Sequence, residues 1–168
     1  TRQPEVKLFL NDRLVGTKTV DRSTEFKVVF TIPYSPGKLR AEAGGKSVRL
    51  ATAGVPHHLS ITSEENLHFL QYDGQDLAFF ILEVRDANGN IVPDAEVPCE
   101  VNVKGDAQLL AAASANMKDP EPTTSPKFTT WKGRALIVAR TLKKGSKGSF
   151  SLKVTSSGLP RCIYNVKE

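Results

Sequence analysis

Apolar and polar residues alternate with a period of two over most of the chain, the pattern of strands that bury one face. Val6, Leu8 and Leu10 alternate with Lys7 and Phe9. Asn11 and Asp12 then turn the chain, Leu14 and Val15 return it, and Gly16 marks a bend, so the spacing predicts a hairpin. Phe26, Val28 and Phe30 form a further inward row, and Pro33, Pro36 and Gly37 make a turn that no central strand could hold. Leu39, Ala41 and Ala43 return from it, Gly44 and Gly45 turn again, and Val48 and Leu50 close the segment. Strands this few cannot bury their faces among themselves and must borrow partners. Residues 1–53 therefore read as a partial sandwich module.

The rhythm breaks at Ala53-Gly54-Val55-Pro56 and restarts at Leu59 and Ile61, which places a boundary there. Residues 54–168 have the size and turn spacing of an immunoglobulin-like sandwich. Predicted strands run through HLSITSE, NLHFLQ and LAFFILEVRD, the last apolar enough for burial on both faces. Asp86-Ala87-Asn88-Gly89-Asn90 is a turn, and Val97, Cys99, Val101 and Val103 are a period-two row ending at Gly105. The alanine-rich stretch 109–117, LLAAASANM, is the one helix candidate. Pro120, Pro122 and Pro126 mark a loop, GRALIVARTL a second apolar strand and KKGSKG a basic turn. Phe150, Leu152 and Val154, then Cys162, Tyr164 and Val166, are the last two rows. The expected fold class is all-β: two immunoglobulin-like β-sandwich units, the first truncated and the second complete.

With 168 residues, 39% hydrophobic and 24% charged, the chain has the composition of a folded protein and can bury a core. It begins at Thr1, carries no basic-then-apolar leader pattern and has no run near the ~18 apolar residues of a membrane span. Its net charge of +5 is spread along the strands, as on solvated sheet faces, so neither nucleic acid nor membrane insertion is expected. Cys99 and Cys162 sit in separate alternating segments. They read either as two small buried hydrophobes, the favoured reading, or as a disulfide.

Candidate chemistry is sparse. A glycosidase needs two carboxylates facing each other across a cleft. Glu83 and Asp86, Glu64 and Glu65, and Glu96 and Glu100 all read instead as solvent-facing positions. DANGN has oxygen ligands at alternate places, but Gly89 is fourth and Val97 twelfth where a calcium loop wants glycine sixth and an acid twelfth. Asp73-Gly74-Gln75-Asp76 likewise reads as a turn. His57 and His58, as strand neighbours, would face opposite ways, and with His68 they make no zinc spacing. No GxSxG frame is present. No cofactor and no metal are expected. Trp131 is the aromatic that could stack on a sugar ring, with Tyr34 and Tyr72 behind it, although packing over the sandwich end is the simpler role for Trp131.

The segment VKLFLNDRLVGTKTVDRSTEFKVVFTIPYSPGKLRAEA resembles the module that follows the catalytic barrel in bacterial family 2 glycoside hydrolases of β-galactosidase and β-glucuronidase type. The resemblance rests on Asn11-Asp12 at the first turn, Leu14 to Gly16 in the return, and Pro33, Tyr34, Pro36 and Gly37 later. DGQDLAFFILEVRDANGNIVPDAE is similar to the start of the family's last immunoglobulin-like domain, through Asp73, Gly74, Asp76, Ala78, Val84, Asp86, Gly89, Val92, Pro93 and Ala95. LLAAASANMKDPEPTTSP departs from the glycine- and asparagine-rich loop of such enzymes. The resemblance implies a parent from a polysaccharide-degrading gut bacterium, retaining, with its two catalytic glutamates in a barrel that precedes this segment. No residue here would be catalytic. The implied partners are the parent's catalytic barrel and a carbohydrate, and the implied location is the periplasm or cell surface. Without its missing strands, the sheet containing Val6 to Leu10 would have open hydrogen-bonding groups, which favours an edge-strand homodimer. The alternative is an adhesin-like sandwich repeat acting as a spacer or binding stalk.

Overall fold

The computed structural model describes residues 1–64, 67, 70–145 and 147–167. The architecture is all-β, as the periodicity predicts, and the chain divides into two compact units, Thr1–Thr52 and Ala53–Glu168.

The first unit is one antiparallel sheet of β1 (Glu5–Leu10), β2 (Arg13–Thr19), β3 (Lys38–Ala43) and β4 (Lys46–Ala51), in the order β2-β1-β3-β4. Both hairpin tips have two left-handed residues, Asn11 and Asp12 (φ 50° and 63°) and Gly44 and Gly45 (φ 55° and 74°). This is the type I′ geometry whose twist matches that of the flanking strands. Asn11 also ties the first tip to the next turn, its Oδ1 accepting from Lys38 N at 2.8 Å and its Nδ2 donating to Pro36 O at 3.2 Å. Gly37 (φ 141°) lies so close to the Asn11 amide that a Cβ there would collide with it.

Register puts Val6, Leu8 and Leu10 on one face with Leu39, Ala41, Val48 and Leu50. Only Val6, Leu8 and Val20 are buried hydrophobics in this unit, while Val48 and Leu50 stay 72% and 73% exposed. The inward row at Phe26, Val28 and Phe30 does not become a ladder strand. Asp21 starts a tight turn instead: its carboxylate accepts from Ser23 N and Thr24 N, and its carbonyl accepts from Phe26 N. Glu25 and Phe26 then take left-handed backbone (φ 52° and 58°), and Phe26 turns outward. Val28, Phe30 and Ile32 still alternate half-buried with exposed Lys27, Val29 and Thr31. The Phe30 ring lies over β2, 3.5 Å from where a Cβ on Gly16 would be, and Lys18 Nζ donates to Val29 O at 2.6 Å.

The second unit is a two-layer sandwich. One sheet holds β5 (His58–Ser63), β6 (Leu77–Arg85), β8 (Ala107–Ala113) and β10 (Arg134–Thr141) in the order β5-β6-β10-β8. The other holds β7 (Pro98–Gly105), β9 (Lys127–Thr129), β11 (Ser149–Ser156) and β12 (Leu159–Lys167) in the order β12-β11-β7-β9. Ala78, Phe80, Leu82, Val84, Ile137, Ala139, Leu152 and Val154 are wholly buried between the layers. Phe80 packs edge-on against Phe150 and Tyr164, with ring centroids 6.1 and 5.4 Å away.

Two expectations change here. Of the helix candidate 109–117, residues 109–113 belong to strand β8 (Ala107–Ala113) and the rest to no strand or helix, because pairing with β10 and burial of Ala112 outweigh alanine's local preference. Of the predicted strand NLHFLQ, Asn66, His68 and Phe69 lie outside the described residues, and Leu70 is a buried residue outside any strand.

Candidate functional site

The carboxylates expected to face solvent divide into two groups. Glu64, Glu96 and Glu100 are exposed, and Glu65 lies outside the described residues. Glu83 and Asp86 are buried, at 8% and 1% exposure. Asp86 serves the turn it begins. Its oxygens accept from Gly54 N (2.8 Å), Asn88 N (2.9 Å), Asn90 N (2.8 Å) and Asn90 Nδ2 (3.0 Å). The Gly54 N–H and the Asn90 amide lead in holding its pKa down to about 2, against the opposing effect of desolvation. Asp86 is thus a permanent acceptor that closes the DANGN turn and anchors the start of the unit. Asp73 plays a similar part in its own turn, lowered by the N–H groups of Gln75 and Asp76.

Glu83 is on the outward face of β6, directly across from Arg134 on β10. Its Oε1 accepts from Arg134 Nε at 3.2 Å and its Oε2 from Arg85 Nη2. Arg85 also reaches back to Gly89 O at 2.6 Å, so the pair fixes the 86–90 turn to the sheet. Arg134 ends a two-residue hairpin that begins at Trp131. Trp131 N donates to Arg134 O at 2.9 Å, Arg134 N donates to Trp131 O at 3.1 Å, and Lys132 and Gly133 are left-handed (φ 51° and 72°). A Cβ at Gly133 would collide with the carbonyl of Val92. This third type I′ turn carries no Asn-Gly or Asp-Gly signal, so its sequence gives no warning of it.

The three candidate aromatic residues have different fates. Tyr72 is 0% exposed and its ring packs edge-on to Phe150 at 6.5 Å, so it offers no face to a dissolved sugar. Tyr34 is 81% exposed on the first unit. Trp131 is half-buried at the β9–β10 corner, with Lys132 Nζ 4.8 Å from its ring centroid. Within the second unit, Trp131 and Arg134 are paired across the hairpin, Lys132 lies over the Trp131 ring, and Glu83 and Arg85 join Arg134, while Tyr72 is buried in the core.

His57 and His58 come together where strand alternation predicts separation. Their Nδ1 atoms are 3.3 Å apart, because His57 precedes the first residue of β5 and escapes the pleat. His68 lies outside the described residues, and among the described residues no group of three or more histidines, cysteines and acids is placed to hold a metal ion. Cys99 and Cys162 are free thiols on the inner side of the same sheet, and burial pushes Cys99 up to about 12 and raises Cys162 as well. A cleft of about 400 Å³ beside Pro98, Lys127 and Thr155 has Glu100 and Glu121 on its walls. Both carboxylates are exposed to solvent.

Residues 61–163, more than half of the chain, match the family described as glycoside hydrolase family 2 C-terminal domain 5. The chain belongs to that family. Residues 1–49 of this family 2 C-terminal region match a domain of unknown function, DUF4982. A β-galactosidase of Bacteroides ovatus is 30% identical over 96% of the chain, which covers 19% of that enzyme. A β-glucuronidase of Formosa agariphila is 31% identical over 61% of the chain and 11% of its own length. A crystal structure of a family 2 glycosyl hydrolase from Bacteroides cellulosilyticus superposes with a TM-score of 0.85 at 25% identity, over 98% of this chain and 23% of that one. The family 2 C-terminal region thus spans about a fifth of the length of the β-galactosidase it resembles.

Proposed function

We propose that this chain is a noncatalytic C-terminal part of a β-glycoside-hydrolysing enzyme of β-galactosidase or β-glucuronidase type, in which it packs against the catalytic domain and shapes or shields the substrate cleft. The observation that carries the reading is the family match over residues 61–163, with a relative about five times as long. Two features support it. The buried acids Glu83 and Asp86 are committed to arginine and backbone partners, which leaves them to structural work. The apolar face of the first unit, with Val48 and Leu50 outward, suits a neighbouring protein surface. An exported location, periplasm or cell surface, belongs to the same reading.

The test compares the longer protein with and without this segment, assayed on aryl β-galactosides and β-glucuronides, alongside the isolated chain. We expect hydrolysis by the longer protein, a lower Tm or altered KM when the segment is removed, and no turnover by the isolated chain. Turnover by the isolated chain, or a longer protein without glycosidase activity, overturns the reading.

A further inference from the structure

The geometry points to a binding site for an anionic saccharide, a pyranose bearing a carboxylate or sulfate, at the β9–β10 corner: Trp131 would lie against the sugar ring and Arg134 would grip the anionic group. The inference rests on the glycosidase reading proposed above and adds to the accessory role a class of saccharide that the region would hold.

Trp131 and Arg134 are opposite each other in the two-residue hairpin, so their side chains leave on the same side. Directly opposed residues have Cβ atoms ~5 Å apart, close enough for one ligand to touch both side chains. Both φ > 0 turn residues and the close approach of Gly133 to Val92 hold the hairpin backbone that carries the pair in one shape. Arg134 is held at one nitrogen only. Its Nε donates to the buried Glu83, its two terminal nitrogens have no acceptor among the described residues, and the side chain is 59% exposed. A guanidinium pinned at Nε with both Nη groups free is a fork ready for a two-point contact with a carboxylate or sulfate.

The local charge has the right sign. Arg85 and Arg134 share one carboxylate, Glu83, and Lys132 brings its ammonium to the Trp131 ring. Glu83 serves Arg134 as a positioning residue, because its second oxygen is already taken by Arg85. A neutral sugar would use the indole face and leave this excess charge unanswered, whereas an acidic one answers both.

The experiment is affinity electrophoresis of the chain through gels containing polygalacturonate, a sulfated galactan or a neutral galactan. Four proteins are run, the unmodified chain and its Trp131→Ala, Arg134→Gln and Lys153→Gln variants, each checked for an unchanged β-sheet circular dichroism spectrum. We expect retardation on an acidic polymer, none on the neutral one, and about a tenfold weaker apparent affinity in Trp131→Ala and in Arg134→Gln. Lys153→Gln, which removes an equal charge from the outer face of the opposite sheet, leaves retardation unchanged. Stronger retardation on polygalacturonate identifies carboxylate as the group held, and stronger retardation on the sulfated polymer identifies sulfate. Absence of retardation on both acidic gels overturns the inference, as does equal loss in all three variants, which would reduce the effect to net charge. These readouts do not depend on hydrolysis, so failure here leaves the glycosidase reading to its own assay. Should a substituted hairpin prove unfolded, Arg134→Lys, which keeps the charge and loses the fork, decides: retardation equal to that of the unmodified chain overturns the site, and weaker retardation supports it.

Discussion

The two units answer the same strand periodicity with different degrees of burial. In Ala53–Glu168 two four-stranded sheets close on each other, and side chains from Leu59 to Val166 fill the space between them. In Thr1–Thr52 a single four-stranded sheet has Val6, Leu8 and Val20 buried, while Val48 and Leu50 on the apolar face point to water. Local pattern suffices to make strands and hairpins in both. A second layer is what converts a row of apolar residues into a core, and only the second unit builds one from its own strands.

The sharpest way to break this contrast is to remove a large side chain from the second unit's core. Phe80→Ala, at the centre of the aromatic cluster, should cost about 3–5 kcal/mol and collapse the cooperative transition of the second unit in urea. Retention of a wild-type midpoint would mean that the two layers do not share one core.

Acid titration probes the second unit's turn. Because the Asp86 pKa is held below its ordinary 3.8, at about 2, its contribution is fully present above pH 4 and drains away between pH 3.8 and about 2. Asp86→Asn should therefore lower Tm at pH 7, and the gap from wild type should shrink toward zero as the pH approaches 2. A gap that stays constant with pH would show that shape, not charge, matters there.

Backbone substitutions come next. Gly133→Ala and Gly37→Ala each demand left-handed backbone and a Cβ where an amide or carbonyl already stands, and should cost about 1–3 kcal/mol in thermal melts. At the small end, Val48→Ser in the isolated chain should change stability by less than about 0.5 kcal/mol, since its side chain is already in water. A larger loss would show that the first unit's open face is already covered.

The fold's class, most of its strands and two of its type I′ turns were legible because period-two alternation and Asn-Asp or Gly-Gly punctuation are local signals. The departures arose where a distant partner decided the outcome. β8 is alanine-rich yet paired to β10, so tertiary pairing overrode propensity. Phe26 was taken from its row by hydrogen bonds from the Asp21 turn, a side-chain competition that alternation does not register. In the site, Trp131 could be singled out by type alone. Its neighbour Arg134 and the buried Glu83 could not, because an acid on an outward strand position reads as solvated until the arginines of two strands are seen to enclose it.

The ladder between β6 and β10 has a kinetic consequence. Glu83 and Arg134 are 51 residues apart, so the central pair of that sheet forms only after a long stretch of chain, including β7, β8 and β9, has been made and looped back. During synthesis LAFFILEV leaves the ribosome well before its partner ALIVA, and an apolar segment waiting for a late mate is the place where chaperone capture or misassembly would begin.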